Sequence, residues 1–201
     1  MTSESAIKKI IAKTEGTDLF ISSLGRTAEL TFRFIDNPDR VLFLDCLGAT
    51  IGVGIGVALA NNSTSVYAFE TDGSFYYNMT VINSIKKCCN QLTHFFPIIF
   101  DNEILESAGG LPSASVGFNW ESMARAWGVN LFVSSDEKSL DQYLDNRSGF
   151  TSTTLLVIKV NNRDVPDLCT KDIDGIESRY RFKRYINTHI RNGIIRPCLK
   201  N

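Results

Sequence analysis

The chain has 201 residues, 43% of them hydrophobic and 21% charged, the ordinary balance of a globular domain long enough to bury a core. Its 21 basic and 22 acidic residues leave a formal net charge of −1, which gives no electrostatic case for nucleic acid or for an anionic membrane surface. The cysteines, Cys46, Cys88, Cys89, Cys169 and Cys198, are odd in number and lack CxxC spacing; this disfavours a disulfide framework and a zinc site, and free thiols in a reducing cytoplasm are expected.

The N-terminal apolar stretch is too short for a signal peptide. The longest apolar run, Ile51 to Ala60, holds three glycines and falls well short of the roughly 20 residues of a spanning helix. No internal repeat or low-complexity linker is visible, so one domain over residues 1–201 is expected, with 161–201 as a C-terminal extension against a partner subunit. In chain order, residues 5–14 read as a helix with Ala6, Ile7, Ile10 and Ile11 on one face. Asp18–Ser22 reads as a strand, Thr27–Phe34 as a helix stopped before Pro38, and Arg40–Leu44 as a strand. Gly48–Ala60 is a glycine-rich helix that must approach a neighbour closely. Strand Ser65–Glu70 is followed by a turn and one long helix to about Cys89, then by the almost wholly apolar strand Phe95–Phe100. After a loop with Gly109, Gly110 and Pro112 come helix Glu121–Trp127, strand Asn130–Val133, helix Glu137–Asn146 and strand Thr153–Val160. Alternation of this kind predicts an α/β doubly wound, mainly parallel sheet with helices on both faces. Ligands of such sheets sit beyond the carboxyl ends of the strands.

Two strand ends carry candidate chemistry. Asp72 follows strand Ser65–Glu70; Gly73 permits a tight turn and Ser74 opens a helix whose unpaired N–H groups could face a phosphate. A carboxylate beside a phosphate needs a cation between them, and Mg²⁺, which takes carboxylate and phosphate oxygens, suits that arrangement. Asn102, after strand Phe95–Phe100, can add a neutral oxygen. Each dipeptide alone, Asp72-Gly73 or Asp101-Asn102, is more often an ordinary turn; it is the pair at one sheet edge that points to a metal.

Thr71-Asp72-Gly73-Ser74, with Asp101-Asn102 a helix and a strand later, resembles the GDG(S/A)…Asn diphosphate motif of thiamine pyrophosphate enzymes. DCLGATIGVGIGVALA is similar to the loop and helix where that family often has GSMG, and DNEILESAGGLPSAS to a stretch of the sulfopyruvate and phosphonopyruvate decarboxylases. The resemblance runs over residues 18–160 and implies the thiamin diphosphate-binding fold. It implies Mg²⁺ held by the side chains of Asp72 and Asn102 and the backbone carbonyl of Ile104, with the cofactor met by Gly73 and Ser74 and by the Leu47–Gly48 loop. Leu47 would prop the cofactor so that its two rings face each other; without the resemblance it reads as core. Thr71 stands in place of the first Gly, Asp45-Cys46 in place of Gly-Ser, Ile104 where Gly is frequent, and Leu111 where Gln is usual.

Family members pair this diphosphate-binding domain with a second domain whose glutamate activates the cofactor. No glutamate here has that context, so no catalytic residue is expected in the chain, and the catalytic glutamate is expected from a pyrimidine-domain α subunit in a hetero-oligomer such as α₂β₂. The implied activity is a split thiamine pyrophosphate-dependent carboxy-lyase acting on a small anionic 2-oxoacid such as sulfopyruvate or phosphonopyruvate. The alternatives are a subunit of an acetolactate-synthase-like carboligase and a catalytically inactive cofactor-binding partner. Of the remaining residues, Glu106 is expected in solvent, His94 structural or exposed, and Ile176–Arg184 a solvated helix or subunit contact. Arg26 lies where a substrate anion could approach.

Overall fold

The alternation seen in the sequence is realised element by element in a computed structural model, which describes residues 1–88, 90–161 and 174–190. The first half runs α1 (Ser3–Ala12), β1 (Leu19–Ser23), α2 (Arg26–Phe34), β2 (Val41–Leu44), α3 (Thr50–Ala60), β3 (Val66–Thr71), α4 (Asp72–Phe75), α5 (Val81–Cys88) and β4 (Phe95–Asp101). A small antiparallel hairpin, β5 (Ile104–Leu105) and β6 (Leu111–Pro112), precedes α6 (Trp120–Trp127), β7 (Asn130–Ser134), α7 (Glu137–Asn146), β8 (Thr154–Lys159) and α8 (Gly175–Tyr185).

Six strands form one parallel sheet of order β2-β1-β3-β4-β8-β7. Period-two alternation divides their side chains between two cores. Val66, Ala68, Phe95, Ile99, Leu155 and Val157 meet residues of α3, α5, α6 and α8 on one face; Tyr67, Phe69, Phe96, Ile98, Phe100, Leu156 and Ile158 meet α1, α2 and α7 on the other. That division follows from right-handed crossovers, because the connection from β1 to β2 runs one way along the sheet and those from β2 to β3 and β3 to β4 run the other. The order therefore reverses between β1 and β3, and again at β7, since the connection from β4 to β7 runs outward and that from β7 to β8 returns.

The expected close approach of the glycine-rich helix occurs at Gly54. A Cβ there would lie 2.7 Å from the Phe95 ring and 3.0 Å from Ala68 Cβ, so only glycine lets α3 sit this near the sheet. Two expected helices are shorter than their patterns. α3 begins at Thr50 rather than Gly48, because Gly48 adopts φ +74°. The long helix after Ser74 is broken into α4, a 3₁₀ turn at Tyr76–Asn78 and α5. The break has a tertiary cause: the Asn78 amide donates to Gly48 O at 3.0 Å, and Thr80 Oγ1 donates to Asn78 Oδ1 at 2.8 Å.

The segment Ile176–Arg184 is a helix that closes the sheet's outer edge. Ser178 of α8 donates to Val41 O and accepts from Phe43 N, both at 2.9 Å, so one hydroxyl satisfies the free side of edge strand β2. Phe182 and Tyr185 are buried beneath it, while Ile176 and Tyr180 face outward. No helix among the described residues is long and apolar enough to cross a membrane. Cys46 and Cys88 are free thiols. Cys89, Cys169, Cys198 and most of the 161–201 extension lie outside the described residues.

Candidate active site at the carboxyl edge of the sheet

Where strand order reverses between β1 and β3, a cavity of about 190 Å³ opens at the strands' carboxyl ends. The loop after β1 contributes Leu24, Gly25 and Arg26; the loop after β2 contributes Leu47; Thr71–Ser74 follow β3, and Asn102 and Ile104–Ala108 follow β4. Six of the seven proposed cofactor-contacting residues thus line one cavity. The seventh, Gly48, lies directly behind it. Farther along the same edge, beyond β4 and β8, Lys159 Nζ lies 2.6 Å from Asp101 Oδ2 and 3.1 Å from Glu103 Oε1.

Thr71, which stands in place of a glycine, has a local reason. Its Oγ1 accepts from Ser74 N at 3.3 Å and caps α4, so the turn is held without a first glycine. Gly73 carries the steric demand instead, since a Cβ there would lie 2.6 Å from Leu105 Cδ2. Gly48 donates its N–H to Ser74 Oγ at 2.8 Å, and a Cβ on it would lie 2.8 Å from Asn78 Cβ. These contacts bind the Leu47–Gly48 loop to the Asp72 turn. The core role that Leu47 would have by hydrophobicity alone does not hold: it is 42% exposed and forms part of the cavity wall. Below the turn, Glu70 is buried; burial pushes its carboxyl up, and bonds from the Ser74 hydroxyl and Thr71 N–H only partly offset that.

Asp72 is 1% exposed. Its Oδ2 lies 2.5 Å from Ser113 Oγ and 2.7 Å from Ser115 Oγ, and Ser115 Oγ also lies 2.8 Å from Asp101 Oδ1. The one proton of Ser115 can serve only one carboxylate at a time. Burial, and then the Asp101 charge, push the Asp72 carboxyl upward, against the pull of the two serines. The second oxygen, Oδ1, is buried with no hydrogen-bond partner. A buried carboxylate oxygen without a partner is costly unless a cation meets it.

The turn after β4 is built around Asn102. Its Oδ1 accepts from Ile104 N at 3.1 Å and its Nδ2 donates to Glu106 Oε1 at 2.7 Å, while Glu103 takes the left-handed conformation with φ 61°. In the hairpin, Glu103 O accepts from Ser113 N and Leu105 O from Gly110 N. Carbonyls alternate along a strand, so Ile104 O points away from β6, and its partner there, Pro112, has no N–H to offer it. Asp72 Oδ1, Asn102 Oδ1 and Ile104 O are therefore oxygens fit for a hard divalent cation, with one negative charge among them. Consistent with this mixed set, no group of three or more His, Cys, Asp and Glu side chains suited to a metal occurs among the described residues.

Glu106 departs from the expectation of a solvated loop carboxylate, because it accepts from Arg26 Nε at 2.7 Å as well as from Asn102. Arg26 does reach the cavity, but as the partner of Glu106. His94 is structural, its Nε2 lying 3.1 Å from Ala58 O and 2.9 Å from Asn61 O. Sequence reasoning missed Ser113, Ser115 and Trp120, whose Nε1 donates to Asp101 Oδ2 at 2.7 Å. The available signal was the Ser-x-Ser pair directly after Pro112, a turn former in which Ser115 N–H donates to Ser113 Oγ at 3.2 Å and both hydroxyls reach Asp72.

The family profile of the thiamine pyrophosphate enzyme C-terminal TPP-binding domain matches residues 25–158. Among solved structures, the benzoylformate decarboxylase of Polynucleobacter necessarius superposes with a TM-score of 0.67 at 16% identity, covering 84% of this chain and 34% of that one. A candidate thiamin diphosphate-dependent enzyme from Mycobacterium smegmatis superposes with a TM-score of 0.64 at 18% identity, covering 80% and 32%. The chain thus spans about a third of the length of either, and at these identities the likeness is one of fold. No curated protein sequence matches the chain. With the diphosphate motif, the parallel sheet and the cavity at its reversal in agreement with the profile, the chain belongs to the thiamine pyrophosphate enzymes and carries their C-terminal cofactor-binding domain.

Proposed function

We propose that this chain is the diphosphate- and Mg²⁺-binding subunit of a thiamine pyrophosphate-dependent 2-oxoacid decarboxylase. The observation that carries the proposal is the orphaned Asp72 Oδ1, on a cavity also lined by Asn102 and by Ile104, whose carbonyl is turned away from its hairpin partner. Asp72 Oδ1, Asn102 Oδ1 and Ile104 O would hold Mg²⁺. Gly73 and Ser74 would approach the diphosphate, and Leu47, fixed through Gly48, Ser74 and Asn78, would set the cofactor's conformation by packing. When bound, the cofactor would supply the sink for the electron pair left behind as a 2-oxoacid releases CO₂.

Completion by a pyrimidine-domain subunit has its own support. The cavity, at about 190 Å³, is smaller than the ~300 Å³ at which typical ligand sites begin. The glutamate on its wall, Glu106, is committed to Arg26 and Asn102. Leu47 and Tyr77 stand exposed on the wall of the site, the kind of apolar rim that another protein surface covers. A short acidic 2-oxoacid is the proposed substrate class, supported by the similarity of the DNEILESAGG segment to sulfopyruvate and phosphonopyruvate decarboxylases.

Calorimetry of thiamine pyrophosphate binding with and without Mg²⁺ tests the cofactor assignment. Wild type binds only with the metal, and Asp72→Ala abolishes the metal-dependent part; unchanged binding in the variant refutes it. Turnover of sulfopyruvate or phosphonopyruvate by the complex with a pyrimidine-domain subunit tests the reaction. A free aldehyde supports decarboxylation, whereas a longer hydroxyketone identifies a carboligase.

A further inference from the structure

We propose that Glu106 is a positioning residue that sets which end of the Asn102 amide faces the metal position. The inference rests on the cofactor site proposed above. An asparagine ligand is useful to a cation in one orientation only, since a half-turn about its last bond presents NH₂ in place of oxygen. Here both ends are read. Ile104 N–H donates to Oδ1, and a Glu106 carboxylate oxygen accepts from Nδ2, where a flipped amide would bring two oxygens to 2.7 Å. The carboxylate is itself aimed by Arg26, whose Nε donates to its other oxygen at 2.7 Å from the first turn of α2. Arg26 is nearly enclosed, with a side chain 9% exposed, so this ion pair fixes the loop carboxylate against a rigid element. A chain of contacts thus runs from the β1 reversal loop through Glu106 to the amide beside the metal position. Replacing a group that orients a metal ligand in this way typically costs roughly 10–100-fold in metal affinity.

Mn²⁺ affinity in the presence of thiamine pyrophosphate, read from the free-ion electron paramagnetic resonance signal, tests the proposal on the full chain. Glu106→Ala is expected to weaken metal binding about tenfold, whereas Glu106→Gln, whose amide oxygen can still accept from Asn102, stays within about threefold of wild type. Asn102→Asp supplies the deciding comparison, because a carboxylate has no wrong end. In that background Glu106→Ala is expected to leave the affinity unchanged or to improve it by removing a like charge. An unchanged affinity in Glu106→Ala, equal losses in the Gln and Ala variants, or a full loss that persists in the Asn102→Asp background would each overturn the inference. Wild type with no metal-dependent cofactor binding would instead overturn the proposed function on which it stands. If Glu106→Ala fails to fold, Glu106→Gln carries the test, made once with Asn102 intact and once together with Asn102→Asp: a loss of more than about threefold with Asn102 intact refutes amide orientation.

Discussion

Replacing Asp72 by Asn should stabilise the metal-free protein while weakening the proposed Mg²⁺-dependent binding of the cofactor. Asp72 is 1% exposed, its Oδ1 has no partner, and burial together with the Asp101 charge disfavours its ionised form. A buried, unsatisfied polar group costs roughly 1–3 kcal/mol. Asn keeps the volume and an oxygen for Ser113 and Ser115 but introduces an NH₂ of its own, so the gain expected is about 1–2 kcal/mol at neutral pH. For a chain of this length that corresponds to a rise in Tm of roughly 2–8 °C. The sign with pH follows from the raised carboxyl. Protonation favours the folded wild type, so wild-type stability is lost as pH rises through the folded-state value, and the advantage of Asn grows from acid towards neutral pH. Scanning fluorimetry of both proteins at several pH values, with and without Mg²⁺ and thiamine pyrophosphate, measures all of this. A variant less stable than wild type at pH 8, an advantage that grows towards acid, or equal Mg²⁺-dependent stabilisation of both proteins would refute the reasoning.

Gly48→Ala should cost about 2–4 kcal/mol in urea denaturation, combining a left-handed alanine with a Cβ 2.8 Å from Asn78 Cβ, and should weaken cofactor binding by displacing Leu47; a loss below about 1 kcal/mol would contradict it. Glu70→Gln should flatten the pH dependence of stability above acid pH, because the burial-raised Glu70 stabilises the fold most when protonated and less as pH rises; Tm profiles of the two proteins that superpose would count against this. Ser178→Ala leaves Val41 O and Phe43 N of the edge strand without their partner and should cost roughly 1–3 kcal/mol by the same denaturation assay; a loss below about 0.5 kcal/mol would contradict it.

The sheet was legible because its signals are local. Runs such as Phe95–Phe100 and Thr153–Val160 are apolar on both faces only where helices cover both, and Asp72-Gly73 and Asn102 fall directly after such runs. Chain order also located the edge of the sheet on which they meet. What the sequence left open depended on partners distant along the chain. Asn78 interrupts a good helical pattern to hold Gly48, 30 residues away. Ser115 reaches Asp72 43 residues away, and Glu106 turned from an expected solvated carboxylate into the link between Arg26 and Asn102. Periodicity and strand-end motifs are set by neighbouring residues, so the sequence alone determined the fold class and the sheet edge at which the candidate site residues meet. The direction of a single amide, the partner of a buried carboxylate and the break in a helix are decided by contacts that exist only after the strands have aligned, and those the tertiary structure alone determined.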